Sequence, residues 1–362
     1  MTIHLPSDPH ETDVLPVEPR DEMSLEQREV AGLSQGQIVR RRFFRHKGAM
    51  ISLVLLVFIL LLSVSSIGWG PIPGWWKYDY SDIVAPPGGS EATFSFLWIG
   101  GSFFHWGDFP FGAPSVGYDN FAQVMRGIQQ TLVIVLIMGI LSTTIGVVTG
   151  ALAGYYRGWI DSAIMRFTDL MITLPILLVT AVLGYVLGAH GVIPLALALG
   201  FLSWQAMTRL VRAEFLTLRE REFVDAARVA GASDRRIIFK HILPNTVGVI
   251  AVQATLTISG GILAEAALGF LGFGIQPPDV SLGSLISQYQ GAMLTGEPYL
   301  FLWPSVFIIL IVLALNFIGD GLRDAFDPRQ KRIPKAKDLR SSREQSREAD
   351  LRAEGSASIG EY

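Results

Sequence analysis

Cysteine is missing from all 362 residues. That absence excludes disulfides, thiolate metal sites and thiol nucleophiles, and leaves the redox compartment unread. Charge is scarce as well: 17% of residues are Asp, Glu, Lys or Arg against 50% hydrophobic, and the mean hydropathy is +0.40. Such a balance is too apolar for a typical soluble protein and implies a chain that crosses a membrane several times. No Gly-Lys dipeptide occurs, so a phosphate-cradling P-loop is absent and no ATP hydrolysis is expected of this chain. The six histidines, His4, His10, His46, His105, His190 and His241, are scattered without metal-ligand spacing, so no metal is expected. No nucleophile and base pair stands out either, so there is no catalytic residue to name.

What is present is length in the apolar runs. A bilayer core about 30 Å thick needs roughly 20 apolar residues in a helix. Six stretches approach or exceed that length without an internal acid, Lys or Arg: 48–77, 127–156, 170–189, 191–208, 245–264 and 298–319. The third and fourth are separated only around Ala189, His190 and Gly191, and Pro194 just beyond supports two helices there. The reading is therefore an all-α integral membrane fold with six transmembrane helices. The first run begins nearly 50 residues in, after an acidic, proline-containing leader without a clear cleavage site, and reads as a retained span.

Lys and Arg set the expected orientation. Arg40, Arg41, Arg42, Arg45 and Lys47 put the N-terminus inside, and alternation puts Arg157, Arg166, the basic stretch 209–240 and the C-terminal tail inside too. Lys77 and Arg126 fall outside. The segments are then a cytoplasmic tail (1–42), a first span (43–70), an external loop (71–127), a five-helix core (128–322) carrying an inside loop at 219–244, and a second cytoplasmic tail (323–362). Within the tails, about residues 1–38 and 336–362 are charged, poor in apolar residues, and expected to be disordered or loosely helical. The external loop holds Trp75, Trp76, Trp98, Phe103, Phe104, Trp106 and Phe109, which suit an interfacial belt or a small folded plug, with a partner-docking surface as the alternative.

Gly146, Gly150 and Gly154 form a stripe at four-residue spacing that lets a second helix come close. GFLGFG at 269–274 has the wrong spacing and no preceding strand for a dinucleotide fingerprint. Asp169, Glu265 and Asp320 lie toward the ends of the spans and are expected to be buried against protein or in a wet cavity, because carboxylates are costly in lipid. For Glu265 a structural anchor, for example to loop backbone near Gln276, is expected over a substrate contact.

One segment is neither span nor ordinary loop: FVDAARVAGASDRRIIFKHILPNT, residues 223–246. Residues 221–230 can form a short helix with Ala226 and Ala227 at its surface, and Gly231 is placed to end it in a left-handed conformation. Ser233 suits the N-cap of a second helix with Asp234 in its first turn. Pro244 disfavours helix at Leu243, so a bend is expected before the fifth span. This makes a helix-turn-helix elbow. Its arginines need no nucleic acid to explain them, since the positive-inside bias already does.

The elbow resembles the EAA loop of permease subunits of ATP-binding cassette importers, whose pattern is Glu-Ala-Ala, three residues, Gly, nine residues, then Ile-x-Leu-Pro. Here Asp225, Ala226 and Ala227 precede Gly231, Ala232 and Ser233, and His241-Ile242-Leu243-Pro244 closes the pattern. Asp225 stands where Glu is usual. His241 stands where Ile is usual, as in the dipeptide and oligopeptide branch, whose wording GASDRRIIFKHILPN follows closely. GYYRGWIDSAIMRFTD (154–169), EAALGFLGFGIQPP (265–278) and NFIGDGLRDAFDPR (316–329) also resemble the second permease subunit of peptide importers. In the external loop, FGAPSVGYDN departs from the family's wording.

The resemblance implies a type I importer permease: one N-terminal helix plus a five-helix core, in the cytoplasmic membrane of a prokaryote. It implies as partners a second homologous permease, two cytoplasmic ATPases or one fused ATPase that carry the ATP and Mg, an external binding protein that delivers peptide, and lipid, with no cofactor on this chain. Asp225, Ala226, Ala227, Gly231, Ala232, Ser233, Leu243 and Pro244 would form the ATPase-coupling helix. A secondary transporter would instead need ion-coupling groups such as Asp169, Glu265 and Asp320, and a signalling scaffold would have no reason for the elbow. Dependence of transport on a separate ATPase separates the three.

Overall fold

With no water in a bilayer core, the backbone polar groups of a spanning segment must bond within the segment, and the apolar runs accordingly fold as helices. The computed structural model describes residues 35–86, 91–92, 107–114, 116–186 and 191–327. In chain order the helices are α1 (Gln35–Arg45), α2 (Lys47–Ile67), α3 (Asn120–Tyr156), α4 (Gly158–Thr173), α5 (Ile176–Val186), α6 (Val192–Phe201), α7 (Gln205–Arg219) and α8 (Glu222–Val229). They continue with α9 (Asp234–Phe270), α10 (Leu282–Gln288), α11 (Ala292–Thr295) and α12 (Pro298–Phe326). Four helices, α2, α3, α9 and α12, are long and apolar enough to cross a bilayer singly. The bent pairs α4–α5 and α6–α7 make six if each is one span.

The ends and shapes of these spans depart from the sequence reading in instructive ways. α2 stops at Ile67 instead of continuing toward residue 77, because Gly68 turns to φ +81° and opens a short antiparallel pairing of β1 (Gly68–Trp69) with β2 (Ile72–Pro73). α3 starts at Asn120, well before the apolar run, since Asp119 caps it by accepting from the Ala122 N–H at 3.0 Å. The third run is split at Leu174, ahead of Pro175, and its halves bend by 81°. The fourth is split between α6 and α7 with a 42° bend.

The fifth run corrects an expectation. There is no break before Pro244: α9 runs from Asp234 to Phe270, with Leu243 helical at φ −55° and ψ −41°. Residues Ile237–Ile242 form a π turn. Its wider winding shifts the carbonyls that would meet the proline ring and takes up the missing N–H inside a helix.

α3 is the axis of the bundle, with α2, α4, α6, α7, α9, α10 and α12 all against it. Three apolar clusters follow its length. One surrounds Phe121, Met125 and Ile128 with Phe111, Leu282, Phe307 and Ile311, a second joins Ile134 and Met138 to Leu195, Leu199 and Leu268, and a third lies at Tyr155. The glycine stripe faces α7. A Cβ on Gly146 would stand 2.9 Å from the Trp204 carbonyl oxygen, on Gly150 2.6 Å from that of Thr208, and on Gly154 2.8 Å from that of Arg212. Backbone therefore meets backbone in matching four-residue steps, and the Thr149 and Thr208 hydroxyls bond across the seam at 2.7 Å.

The described part of the aromatic loop is folded. β3 (Ile83–Val84) pairs with β4 (Gly117–Tyr118), the Trp76 indole N–H donates to Asp119 at 2.7 Å, and Phe111 stacks on Trp303 with ring centres 4.0 Å apart. Trp98, Phe103, Phe104 and Trp106 lie outside the described residues, as do residues 187–190, 1–34 and 328–362.

Candidate functional site

The elbow is a capped corner. α8 follows Arg221, which is extended, and ends at Ala230; Gly231 then takes φ +79°. The Gly231 N–H donates to the Arg228 carbonyl at 2.9 Å and the Ala232 N–H to the Ala227 carbonyl at 3.0 Å, the paired bonds of a Schellman end. Nothing lies within 4 Å of where a Gly231 Cβ would stand, so the constraint there is backbone conformation rather than space. Ser233 holds the extended N-cap position of α9 and its carbonyl accepts from the Ile237 N–H at 3.0 Å. Ser233 is thus the N-cap expected from the sequence, though its side chain makes no capping bond. Asp234 instead accepts from the Tyr155 hydroxyl at 2.7 Å.

The eight residues expected to act together divide between two faces. Ala227, Ala232 and Leu243 are half-buried against the cluster of Tyr155, Met207, Val211, Phe215, Val224, Ile237, Ile238 and Ile242. Asp225, Ala226, Gly231, Ser233 and Pro244 are exposed, and with them Val229, at 91%. Asp225 accepts from Arg228 at 2.9 Å on that open face. Burying Val224 and Ala227, three residues apart, fixes which way α8 turns. The consequence is a rigid piece pinned along one side and bare along the other.

The three carboxylates part company as well. Glu265 in α9 is fully buried and accepts from the Thr131 hydroxyl of α3 at 3.1 Å. The Thr131 oxygen also takes the Leu282 N–H at 3.4 Å, so one bond set joins α3, α9 and the start of α10. The expected anchor near Gln276 is not made; that side chain donates to the Gly272 carbonyl at 3.0 Å. Asp169 and Asp320 are exposed on this chain, against the expectation of burial. Asp169 sits on a helix that the 81° break swings away from α5, and it accepts from Arg209 at 2.6 Å. Asp320 lies on the outward side near the end of α12.

Sequence reasoning missed the pairs that brace the bundle. Arg212 reaches both oxygens of Asp161 at 2.5 and 2.6 Å and clamps α4 to α7. Arg126 donates to Asp279 at 2.6 Å. The available signal was an opposite charge in each stretch, Asp161 within 154–169 and Asp279 beyond Pro278, but nothing in the sequence says which pairs with which. Among the described residues no cluster of three His, Asp or Glu could hold a metal ion.

Residues 146–332 match the family described as binding-protein-dependent transport system inner membrane component, and residues 34–87 match the N-terminal TM domain of oligopeptide transport permease C. The chain is 38% identical over 306 residues to the oligopeptide transport system permease protein OppC of Mycobacterium tuberculosis, covering 83% of this chain and 97% of that one. A putative peptide permease protein of Brucella ovis is 38% identical over 299 residues (82% and 92% covered), and the OppC protein of Haemophilus influenzae 34% over 307 (85% and 93%). Among solved structures, an inward-facing form of the MetNI methionine ABC transporter aligns with a TM-score of 0.47 and 19% identity, covering 57% of this chain and 96% of that one. With the family matched over residues 146–332 and relatives 34–38% identical across more than four-fifths of its length, this chain belongs to the binding-protein-dependent transport system inner membrane components.

Proposed function

We propose that this chain is one of two permease halves of an ATP-binding cassette importer for peptides, and that the elbow is where a cytoplasmic ATPase takes hold. The observation that carries the reading is the division of the elbow into a pinned face and a bare one. Val224, Ile237, Ile238 and Ile242 fix it to α3 and α7, while Ala226, Asp225 and Val229 are free to enter a groove on a partner. Small side chains allow close approach, Val229 supplies apolar area, and the Asp225–Arg228 pair supplies polar contacts at the rim. Peptides are the favoured substrate because the relatives above are peptide permeases by name.

In this scheme an external binding protein delivers peptide to the paired permeases. The ATPases, one chain or two, hold ATP and Mg and close on it. Their closure displaces the elbow as a rigid body, and α3 and α7 follow, switching access from one side to the other. Positive-inside bias supports cytoplasmic placement of the elbow and both termini, with the 71–127 and 272–300 loops outside. The second of those loops contains no Lys or Arg. This chain contributes no hydrolysis, and purified alone it gives only background phosphate release.

Gly231→Val tests the reading. The variant inserts and keeps its partner permease, but loses its ATPases on co-purification and fails in peptide uptake. Wild-type retention of the ATPases together with wild-type uptake would remove the elbow from the mechanism.

A further inference from the structure

The apolar packing of the elbow leaves a question about how motion is passed on. Apolar contact is non-directional, so neighbouring side chains can slide and change rotamer while burying much the same area. A hydrogen bond is directional and is lost within less than an ångström of stretch. One such bond runs from the elbow to the bundle axis. The hydroxyl of Tyr155, next to last in α3 and 5% exposed, donates to Asp234 at 2.7 Å. Asp234 is the first residue of α9, directly after the corner at Gly231 and Ser233.

A second group converges on the same tyrosine. The Arg219 guanidinium, at the end of α7, bonds the Tyr155 carbonyl and lies 5.5 Å from its ring centre. A polar link thus leads from the first turn of α9, directly after the corner, to the end of α3. From there the glycine seam carries α7 along with it, since a Cβ at Gly150 or Gly154 would already stand within 2.8 Å of an α7 carbonyl oxygen.

We propose that Tyr155 is the positioning residue that transmits elbow displacement to α3, acting through Asp234 and held in place by Arg219. The proposal rests on the coupling role given to the elbow above. It assigns to the tyrosine hydroxyl a function that simple satisfaction of a buried polar atom would not require.

The test uses the full complex, with binding protein and ATPases, in proteoliposomes, and reads peptide imported per ATP hydrolysed. Tyr155→Phe keeps the ring and its packing. It should retain the ATPases at the wild-type ratio and melt close to wild type, while import per ATP falls roughly three- to tenfold, the scale on which residues of a coupled network act. Asp234→Ala should match it, Asp234→Asn, which keeps an acceptor, should recover most of the loss, and the double variant Tyr155→Phe/Asp234→Ala should be no worse than either single one. Wild-type import per ATP in Tyr155→Phe would overturn the proposal, and so would a loss that merely follows loss of bound ATPase. Gly231→Val in the same preparation separates the two levels. If it keeps its ATPases and its uptake, the coupling role of the elbow falls; if it loses them while Tyr155→Phe transports normally, only the role of Tyr155 falls.

Discussion

At its loop end α3 is tied by side chains that reach out to separate segments. The Gln129 amide donates to the Ser63 and Gly68 carbonyls at 2.8 and 2.9 Å, Arg126 and Gln130 donate to Asp279 at 2.6 and 3.0 Å, and Thr131 donates to Glu265 at 3.1 Å. The Arg126 guanidinium also lies over the Tyr80 ring at 4.6 Å. At the other end the same helix meets the elbow through an apolar cluster, the Tyr155–Asp234 bond and Arg219. Directional bonds to α2, α9 and the 272–300 loop over-determine the first end and make it a frame. The second end is held by a compact apolar cluster with few polar links, and in the proposed mechanism it is this end that moves. Substitutions at the loop end should therefore cost stability, and substitutions at the elbow should cost coupling.

The severest test of that contrast lies between the ends, where both depend on the seam. A Cβ on Gly150 would stand 2.6 Å from a backbone carbonyl that cannot rotate away, so Gly150→Val must part α3 from α7. Its cost should lie at the upper end of the about 1–3 kcal/mol of overpacking, with poor recovery of folded chain by size exclusion and a lowered melting temperature in detergent.

At the elbow, Gly231→Val carries only backbone strain of about 1–2 kcal/mol, enough to shift the docked population roughly 5- to 30-fold and too little to unfold the bundle. Gly231→Asn, which tolerates the left-handed conformation, should keep most peptide uptake. Comparable uptake by the two variants would show that the corner's conformation does not matter.

Glu265→Ala breaks the frame. It removes the acceptor of the Thr131 hydroxyl in a fully buried position and should lower stability by about 1–3 kcal/mol in thermal melts. Substrate preference among peptides should be unchanged, and a variant that melts normally but selects differently would make Glu265 a substrate contact.

The smallest effect concerns the cap of α3. Burial holds the Asp119 carboxyl above the usual carboxylate range, against the bonds it accepts from Trp76 and the Ala122 N–H. A pKa raised on folding means that stability falls as pH rises through the folded value and returns on acidification. Lowering the pH from neutral toward the ordinary carboxylate range should therefore raise the melting temperature of the wild type relative to Asp119→Asn, which does not titrate.

Much of this could be read in the sequence because membrane physics writes it there. The apolar runs gave the spans, glycines at four-residue spacing marked the α3–α7 seam, and the Gly231 corner follows from the one residue that takes φ +79° without strain. The breaks were harder. Pro175 bends a span by 81° while Pro244 sits inside a continuous helix, because a π turn precedes only the second. A proline alone does not announce its backbone surroundings. The Tyr155–Asp234 and Arg126–Asp279 bonds were invisible because they join residues 79 and 153 positions apart, and only the packing of the helices brings such partners together.

Whether the bare face of the elbow receives an ATPase, as proposed, while the loop end does not, can be measured directly. Two exposed tips serve as reporters in a chain without cysteine: Val229 in α8, 91% exposed, and Leu294 in α11, 92% exposed. Each is replaced singly by Cys, and the rate of modification by a thiol reagent is compared with and without bound ATPases in detergent. ATPase binding should strongly protect Val229→Cys and leave the rate at Leu294→Cys unchanged. Equal labelling of Val229→Cys with and without the ATPases, or protection at Leu294→Cys alone, would contradict the proposal.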